Sequence, residues 1–364
     1  MKSKILFILH LPPPVHGSSM VGQYIKDSKL VDNAFHTRFI NLSTSLTIDE
    51  IGKNPILKIG RYFKIVFKLI KYLLGFKPET VYLAITAKGV GFYKDLPLAL
   101  LVKLFGKKLV LHYHNKGVSN YQHKLLDNLL YYILFKNSKV ILLSERLYKD
   151  VSKYVKEENV FFCPNGIPVI NPEEKISSKK NSVPKLFFLS NLIEAKGVYV
   201  LLDALKILND CGVEFDCNLV GGEGDISLMK LNKKINDLKL QNCVAYLGKK
   251  YNDDKYEIFQ SSDIFLFPTF YHNECFPLVL LEAMMFGLPV ISTNEGGITD
   301  IVKNGETGFI VDKQNQEKLA EKIKHLIDNP EKASLIGEKG RKHFLEKYTL
   351  EVFERRIVHI LNQI

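Results

Sequence analysis

Short apolar runs alternate along the chain with longer stretches in which apolar residues recur at helical spacing. The runs end at proline, glycine or polar residues and predict buried strands at 4–10, 80–85, 108–114, 139–144, 185–190, 215–220, 263–268 and 288–292. Helical patterns lie between many of these runs. Such alternation is typical of an α/β protein whose parallel sheet is wound on both faces.

A polar, proline-bounded stretch at 172–184 interrupts this alternation and predicts a linker. At 364 residues the chain is long for a single core and suits two domains of ordinary size. The pattern therefore predicts two α/β domains joined near the middle of the chain.

The formal charge is divided unevenly between the two halves. Residues 1–170 hold 25 Lys and Arg against 11 Asp and Glu, whereas the remainder holds 25 against 28. Within 55–77, five basic residues recur at steps of three and four and form one stripe on a predicted helix: Lys58, Arg61, Lys64, Lys68 and Lys71. Two interpretations stay open, a helix at an anionic membrane surface or a packed helix with a solvated lysine face.

The cysteines indicate the redox compartment of the protein, and the apolar runs indicate whether it has a signal peptide or a membrane span. Five scattered cysteines without a close Cys/His cluster favour a reducing compartment over a disulfide framework or a structural zinc site. The first apolar run is short and meets three prolines at 12–14, which favours a first strand over a signal peptide. No apolar run approaches the length needed to span a bilayer.

The most informative motif is at 271–291, YHNECFPLVLLEAMMFGLPVI. Pro277 suits a first helical turn, and Gly287 ends the predicted helix. Glu274 lies in the loop before this helix and Glu282 lies within it. The N-terminus of a helix carries free N–H groups and a positive dipole, so this segment suits an anion such as a phosphate.

This motif resembles the signature of the retaining glycosyltransferases of family 4. The resemblance rests on the spacing of Glu274 and Glu282, on the Glu-Ala-Met and Gly-Leu-Pro-Val-Ile segments, and on the later pair Gly296-Gly297. It implies the GT-B fold, in which two Rossmann-like, doubly wound parallel-sheet domains face each other across a cleft. The implied divisions are an acceptor-binding domain at 1–168, a linker at 169–184, a donor-binding domain at 185–349 and a C-terminal helix at 350–364 that returns to the first domain.

The resemblance also implies which residues bind the nucleotide-sugar donor. Lys196 is directed at the donor diphosphate, Glu274 at the hydroxyls of the donor sugar and Glu282 at the ribose. The family has an arginine where this chain has Asn191, which can donate a hydrogen bond but cannot neutralise charge. The full donor-binding set is Gly17, Asn191, Lys196, Gly222, Glu274, Cys275, Phe276, Pro277, Leu278 and Glu282.

Two residues of the first domain complete the predicted site. His114 ends a predicted strand at the edge where ligands of such sheets bind, and it matches the family's histidine better than His112 does. His114, Glu274 and Lys196 form the predicted catalytic set. A histidine that has neither metal-binding partners nor a nucleophile near it in sequence is, however, usually structural. Gly17, in the loop after the first strand, is predicted to approach the diphosphate, and an ordinary turn explains it almost as well.

The implied reaction is transfer of a sugar, with retention, from a nucleotide-diphosphate sugar to a glycan or polyprenyl-linked acceptor. We expect UDP as the common donor nucleotide, bacterial surface polysaccharide as the product, and a cytoplasmic protein on the inner face of the cell membrane. No metal or other cofactor is expected, because Lys196, the helix N-terminus and backbone amides near Gly17 can stabilise the leaving diphosphate.

Two alternatives stay open at this stage. One is another GT-B nucleotide-sugar enzyme such as an epimerase, which needs no acceptor. The other is a basic membrane- or nucleic-acid-binding module that keeps a nucleotide-binding fold. Because the helix at 55–77 is too aliphatic to be a row of stacking platforms, no nucleic-acid partner is expected.

Overall fold

The computed structural model describes residues 2–44, 55–170 and 182–364, and these fall into two compact units. The first unit comprises Met1–Gly166 with Leu350–Ile364, and the second comprises Ile167–Thr349. The second unit starts at Ile167 because its N–H donates to the Tyr348 carbonyl at 3.0 Å and its backbone bridges to Thr349. Most of the predicted linker, 171–181, lies outside the described residues.

The first unit is built on a six-stranded parallel sheet with the strand order β2-β1-β3-β4-β5-β6. All six residues of Thr80–Ile85 are buried, as expected for a strand covered on both faces. The edge strands β2 and β6 were not predicted from the sequence, because their side chains are only partly buried. The strands are β1 (Lys4–Leu9), β2 (His36–Asn41), β3 (Thr80–Ile85), β4 (Lys108–Tyr113), β5 (Ser138–Leu142) and β6 (Val160–Phe162).

Helices connect these strands and cover the sheet. The predicted helix at 55–77 is present as α3 and continues into a π-helical turn at Tyr72–Phe76. One side of this helix buries Ile65, Leu69 and Leu73 in the core. The helices are α1 (Gly17–Asp27), α2 (Lys29–Ala34), α3 (Pro55–Lys71), α4 (Gly89–Leu104), α5 (Val118–Tyr121) and α6 (Leu125–Phe135).

The second unit repeats this architecture, with the strand order β12-β11-β10-β7-β8-β9 in a parallel sheet. The four central strands lie where the apolar runs predicted them, whereas the short edge strands β9 and β12 were not predicted. The strands are β7 (Lys185–Leu189), β8 (Asp216–Val220), β9 (Val244–Tyr246), β10 (Ile264–Phe267), β11 (Val290–Thr293) and β12 (Gly308–Val311). The predicted fold class, two doubly wound parallel-sheet domains, is confirmed.

The helices of the second unit include α10, which spans the predicted motif helix. Pro277 is its N-cap residue, and Gly287 follows its end with a φ of 72°. The helices are α7 (Val198–Asp210), α8 (Leu228–Asp237), α9 (Asn252–Ser261), α10 (Leu278–Met285), α11 (Ile298–Ile301), α12 (Gln316–Asp328) and α13 (Pro330–Lys347).

The last helix, α14 (Leu350–Asn362), belongs to the first unit and packs on α2. It buries Phe353, Ile357 and Ile360. Across 2–44, 55–170 and 182–364, no helix is both long enough and apolar enough to cross a membrane.

Candidate active site

The turn that carries Lys196 is fixed against the loop after β10. Gly197 has a φ of 90°, and a Cβ at this position would overlap the carbonyl of Pro268, so only glycine fits. The Phe270 N–H donates to the Ala195 carbonyl at 2.8 Å and joins the two loops. Both loops follow parallel strands, so Lys196 lies at the carboxyl edge of the sheet, where ligands of such sheets bind.

The loop that carries Glu274 is fixed by the glycine pair after β11. Gly296 has a φ of 54°, and a Cβ there would overlap the Glu274 carbonyl. The Gly297 N–H donates to the Cys275 carbonyl at 2.6 Å, and the Glu274 N–H donates to the Tyr271 carbonyl at 2.8 Å. The first glycine of the pair noted in the sequence, Gly296, is therefore explained by a close backbone approach that positions the first glutamate.

These two loops bring Lys196 and Glu274 together as an ion pair. Their side chains are 16% and 11% exposed, and the Lys196 ammonium lies over the Tyr271 ring at 4.7 Å from its centroid. Both residues were predicted, but their pairing and the contact with Tyr271 were not. The result is a cation and a carboxylate held side by side at the sheet edge with little exposure to water.

Glu282 forms a second ion pair, with Lys255 of α9, at 2.6 Å. The two side chains are 14% and 17% exposed, and Lys255 also lies over the Tyr256 ring. Burial raises the pKa of Glu282, while the Lys255 charge and hydrogen bond oppose the rise. Lys255 was not predicted, because nothing in its sequence surroundings connects it with a glutamate 27 residues later.

The N-terminus of α10 lies between the two glutamates in sequence. Pro277 is extended at the N-cap and supplies no side-chain cap, and the first turn has no acidic residue. Cys275 and Phe276 are buried, so they support this end of the helix, and Leu278 is its first residue. An uncapped helix N-terminus offers N–H groups and a partial positive charge to an anion.

The predicted residues Asn191 and Gly222 join the ends of β7 and β8. The Gly222 N–H donates to Asn191 Oδ1 at 3.2 Å, and the Leu192 N–H donates to the Gly222 carbonyl at 2.7 Å. The Asn191 side chain therefore has a structural contact in this structure, in addition to any contact with a ligand. Gly222 is buried at the carboxyl edge of the sheet, as the prediction of a donor-side loop requires.

The two predicted residues of the first unit lie at the carboxyl edge of its own sheet. His114 follows β4, its ring is 4.2 Å from the ring of His112, and burial lowers its pKa to about 4. His112 lies within β4, fully buried and hydrogen-bonded to Tyr82. Gly17 opens α1, and a Cβ there would meet no atom within 4 Å, so its steric freedom is not required in this structure.

Sequence reasoning missed two further histidines of this edge. His10 directly follows β1, and His16 is the N-cap residue of α1, with the two ring centroids 6.0 Å apart. Burial lowers the pKa of His10 to about 3, with a smaller effect of the Lys94 charge. The rule that selected His114, a histidine just after a strand, would also have selected His10.

The described residues contain no group of three or more His, Cys, Asp or Glu side chains placed to hold a metal ion. The carboxyl edge of the second sheet carries the pairs Lys196–Glu274 and Lys255–Glu282, the Asn191 amide and the uncapped N-terminus of α10. Such an arrangement can bind a phosphate through cations and N–H donors and can bind sugar hydroxyls through carboxylates.

Parts of the chain match known glycosyltransferases. Residues 169–343 match the family described as Glycosyl transferases group 1. The capsular polysaccharide biosynthesis glycosyltransferase CapM of Staphylococcus aureus is 28% identical over 242 residues, covering 63% of this chain and 62% of that protein. The amylovoran biosynthesis glycosyltransferase AmsK of Erwinia amylovora is 26% identical over 226 residues, covering 60% of this chain and 55% of that protein. The chain thus spans less than two thirds of these curated relatives.

Solved structures cover the whole chain. Anabaena Alr3699/HepE in complex with UDP superposes with a TM-score of 0.77 at 18% identity, over 100% of both chains. At this identity the likeness shows the fold alone, and the fold is GT-B, as predicted.

Proposed function

We propose that the chain, whose residues 169–343 match the family described as Glycosyl transferases group 1, transfers a sugar from a nucleotide-diphosphate sugar to a glycan or lipid-linked acceptor. The transfer proceeds with retention, needs no metal and serves the synthesis of a bacterial surface polysaccharide. UDP is the favoured donor nucleotide, because HepE, which shares the fold, is bound to UDP in its structure and UDP-sugars are the common donors.

One observation carries this proposal: lysine–glutamate pairs lie at the carboxyl edge of the second sheet, among them Lys313–Glu295, and two of these pairs include a predicted donor-binding glutamate. Lys196 pairs with Glu274 and Lys255 pairs with Glu282, and all four side chains are largely buried. Buried ion pairs are weak evidence for a stabilising role, because desolvation offsets much of their attraction. Charged groups concentrated at a ligand-binding edge are better explained by a polar, charged ligand.

The proposed mechanism uses this chain's charges to stabilise the departing diphosphate. Lys196 and the N–H groups at the start of α10 face the negative charge that develops as the bond between the anomeric carbon and the phosphate oxygen breaks. Glu274 accepts hydrogen bonds from hydroxyls of the donor sugar, and Glu282 accepts them from the ribose. Fixed contacts of this kind place the anomeric carbon for attack.

Retention is proposed to follow from a front-face route. The acceptor oxygen bonds to the anomeric carbon on the face that the phosphate leaves, and the leaving phosphate oxygen takes the acceptor proton. Glu274 then positions the sugar and forms no covalent intermediate. His114, whose pKa is lowered to about 4 by burial, is neutral at physiological pH and contributes a hydrogen-bonding group.

A transfer assay with a panel of UDP-, GDP- and ADP-sugars tests the proposal. Lys196→Ala and Glu282→Ala should each abolish most transfer, whereas the exposed Lys318→Ala on α12 should leave it unchanged. Near-wild-type turnover in both site variants would defeat the assignment. Conversion of the donor sugar without any acceptor would favour an epimerase instead.

Contact with an anionic membrane is a further part of the proposal, and one face of the first unit supports it. Helix α4 contacts both α3 and α6. These helices and the π-helical turn carry twelve of the large apolar side chains that are exposed in the described part of the chain. They are Ile59, Phe63, Phe67, Leu74, Val90, Tyr93, Leu104, Leu125, Leu126, Leu129, Tyr132 and Ile133.

Lysines flank these exposed apolar groups. Phe63 and Phe67 are 66% and 72% exposed, and Lys64, Lys68 and Lys71 are exposed on the same helix. A surface that combines exposed aromatic residues with lysines suits the interface of an anionic bilayer, where each lysine contributes about 1 kcal/mol. The proposed location is therefore the inner face of the cell membrane, which would also bring the enzyme to a polyprenyl-linked acceptor.

Vesicle sedimentation tests this contact. The protein should bind vesicles containing phosphatidylglycerol, bind phosphatidylcholine vesicles weakly, and lose binding as salt is raised. The double variant Phe63→Ser/Phe67→Ser should bind much less, whereas Met229→Ser, which removes an exposed apolar side chain of the second unit, should bind normally. Equal binding by both variants would contradict the assignment of this face.

A further inference from the structure

The ends of β7, β8 and β9 form a fixed frame next to the Lys196 turn. The Gly221 N–H donates to the Gly248 carbonyl at 2.9 Å, and the Tyr246 hydroxyl donates to the Gly221 carbonyl at 2.8 Å. Gly221 has a φ of 150°, and a Cβ there would overlap the Ser190 carbonyl. These contacts hold the loop after β9 close to the loops after β7 and β8.

Lys249, which follows Gly248, extends over Gly222. A Cβ at Gly222 would overlap Cε of Lys249 and would lie 3.3 Å from Oδ1 of Asn191. The absence of a side chain at Gly222 therefore leaves the space that the Lys249 stem occupies. It also brings the end of the Lys249 side chain to the same place as the Asn191 amide, at the carboxyl edge of the sheet.

Several lysines extend from the loops and helices at this edge, and they differ in their partners; Lys313, for example, pairs with Glu295, and Lys250 lies 3.8 Å from Asp254. Lys196 is paired with Glu274 and Lys255 with Glu282. Within the described residues, Lys249 has no carboxylate at ion-pairing distance, and its side chain is exposed. Its neighbour Asn191 is neutral and cannot balance charge. Lys249 is therefore a cation of this edge that is available to an incoming anion.

We propose that Lys249 binds the diphosphate of the nucleotide-sugar donor, an inference that rests on the proposed transferase function. A lysine ammonium is a compact charge suited to phosphate oxygens. Lys249 supplies positive charge on the side of the site where Asn191 supplies none.

Calorimetric titration of the full chain with UDP and with uridine tests this assignment. Lys249→Ala should raise the Kd for UDP about tenfold and leave the Kd for uridine unchanged, because only the phosphates meet the lysine. Lys249→Arg, which keeps the charge, should restore most of the affinity. The matched control is Lys250→Ala, which removes the adjacent lysine, itself placed 3.8 Å from Asp254.

Gly222→Ala provides a second, independent variant. Its new methyl group should displace Lys249 without backbone strain, since Gly222 does not have a positive φ, and should weaken UDP binding in the same direction. Unchanged UDP affinity in Lys249→Ala, or an equal loss for UDP and uridine, would overturn the assignment while leaving the transferase proposal intact. If the wild-type chain binds none of UDP, GDP and ADP, both proposals fail together.

Discussion

The ion pair between Lys255 and Glu282 gives a quantitative prediction about the second unit. The change is Lys255→Met, which keeps much of the side-chain volume and removes the charge. It leaves the Glu282 carboxylate without its partner at a position where its side chain is only 14% exposed. The variant should therefore be less stable, and the loss should come from an uncompensated carboxylate and not from lost packing.

The size of the effect follows from burial. Removing one partner of a fully buried pair costs about 3–5 kcal/mol, whereas an exposed pair contributes about 0–1 kcal/mol. With the two side chains 17% and 14% exposed, we expect a loss of about 2–3 kcal/mol at pH 7. For a unit of this size, that loss lowers the Tm of its unfolding transition by roughly 4–12 °C.

The pH dependence has a defined sign. Burial raises the folded-state pKa of Glu282, and removing Lys255 takes away the charge that opposes this rise. As the pH falls, the folded variant takes up a proton before the unfolded chain does, so protonation favours the folded state. The loss of stability in Lys255→Met should therefore be full at a pH above the folded-state pKa of Glu282 and should shrink as the pH falls through that pKa toward the pKa of the unfolded chain.

Differential scanning calorimetry of the full chain measures this effect. The double variant Lys255→Met/Glu282→Gln removes both charges and should recover most of the lost Tm. The control Lys318→Met breaks an exposed pair with Glu321 and should leave the Tm unchanged. An unchanged Tm in Lys255→Met, or a double variant no more stable than the single one, would show that Lys255 does not compensate a buried Glu282 carboxylate.

Two further predictions concern the backbone at Gly296 and the buried histidines His10 and His114. Gly296→Ala should cost more stability than Gly305→Ala. Both glycines have a positive φ, but only a Cβ at Gly296 would overlap a neighbour, the Glu274 carbonyl. Equal losses of stability in chemical denaturation would contradict this prediction. Burial lowers the pKa of His10 to about 3 and that of His114 to about 4. The free energy of unfolding should therefore fall as the pH drops from about 6.5 to 4, by about 1.4 kcal/mol per pH unit for each histidine. His114→Gln should reduce this slope, and an unchanged slope would count against a buried neutral histidine.

The central part of the fold could be predicted from sequence because its signals are local. Strand β10 is a continuous apolar run that stops at Pro268, and α10 lies between Pro277 and Gly287. The edge strands β6 and β9 were missed because each has three residues, too few for a pattern to emerge. Their positions depend on hydrogen bonding to β5 and β8, and a short stretch of sequence does not reveal such pairing.

The candidate site was predicted only in part, for a related reason. Glu274 and Glu282 lie in one motif, and Lys196 lies in a recognisable turn before Gly197. Lys255 comes from α9 and meets Glu282 only through tertiary packing. Lys249 becomes meaningful only when the structure places it over Gly222, so no spacing rule in the sequence could have selected it.

Titration calorimetry is the most direct test of a nucleoside-diphosphate site that forms without a metal. The full chain would be titrated with UDP, GDP and ADP, each with magnesium and with EDTA. One nucleotide, UDP in the first place, should bind with micromolar affinity that EDTA does not change. Binding of none of the three, or binding that EDTA abolishes, would contradict this prediction.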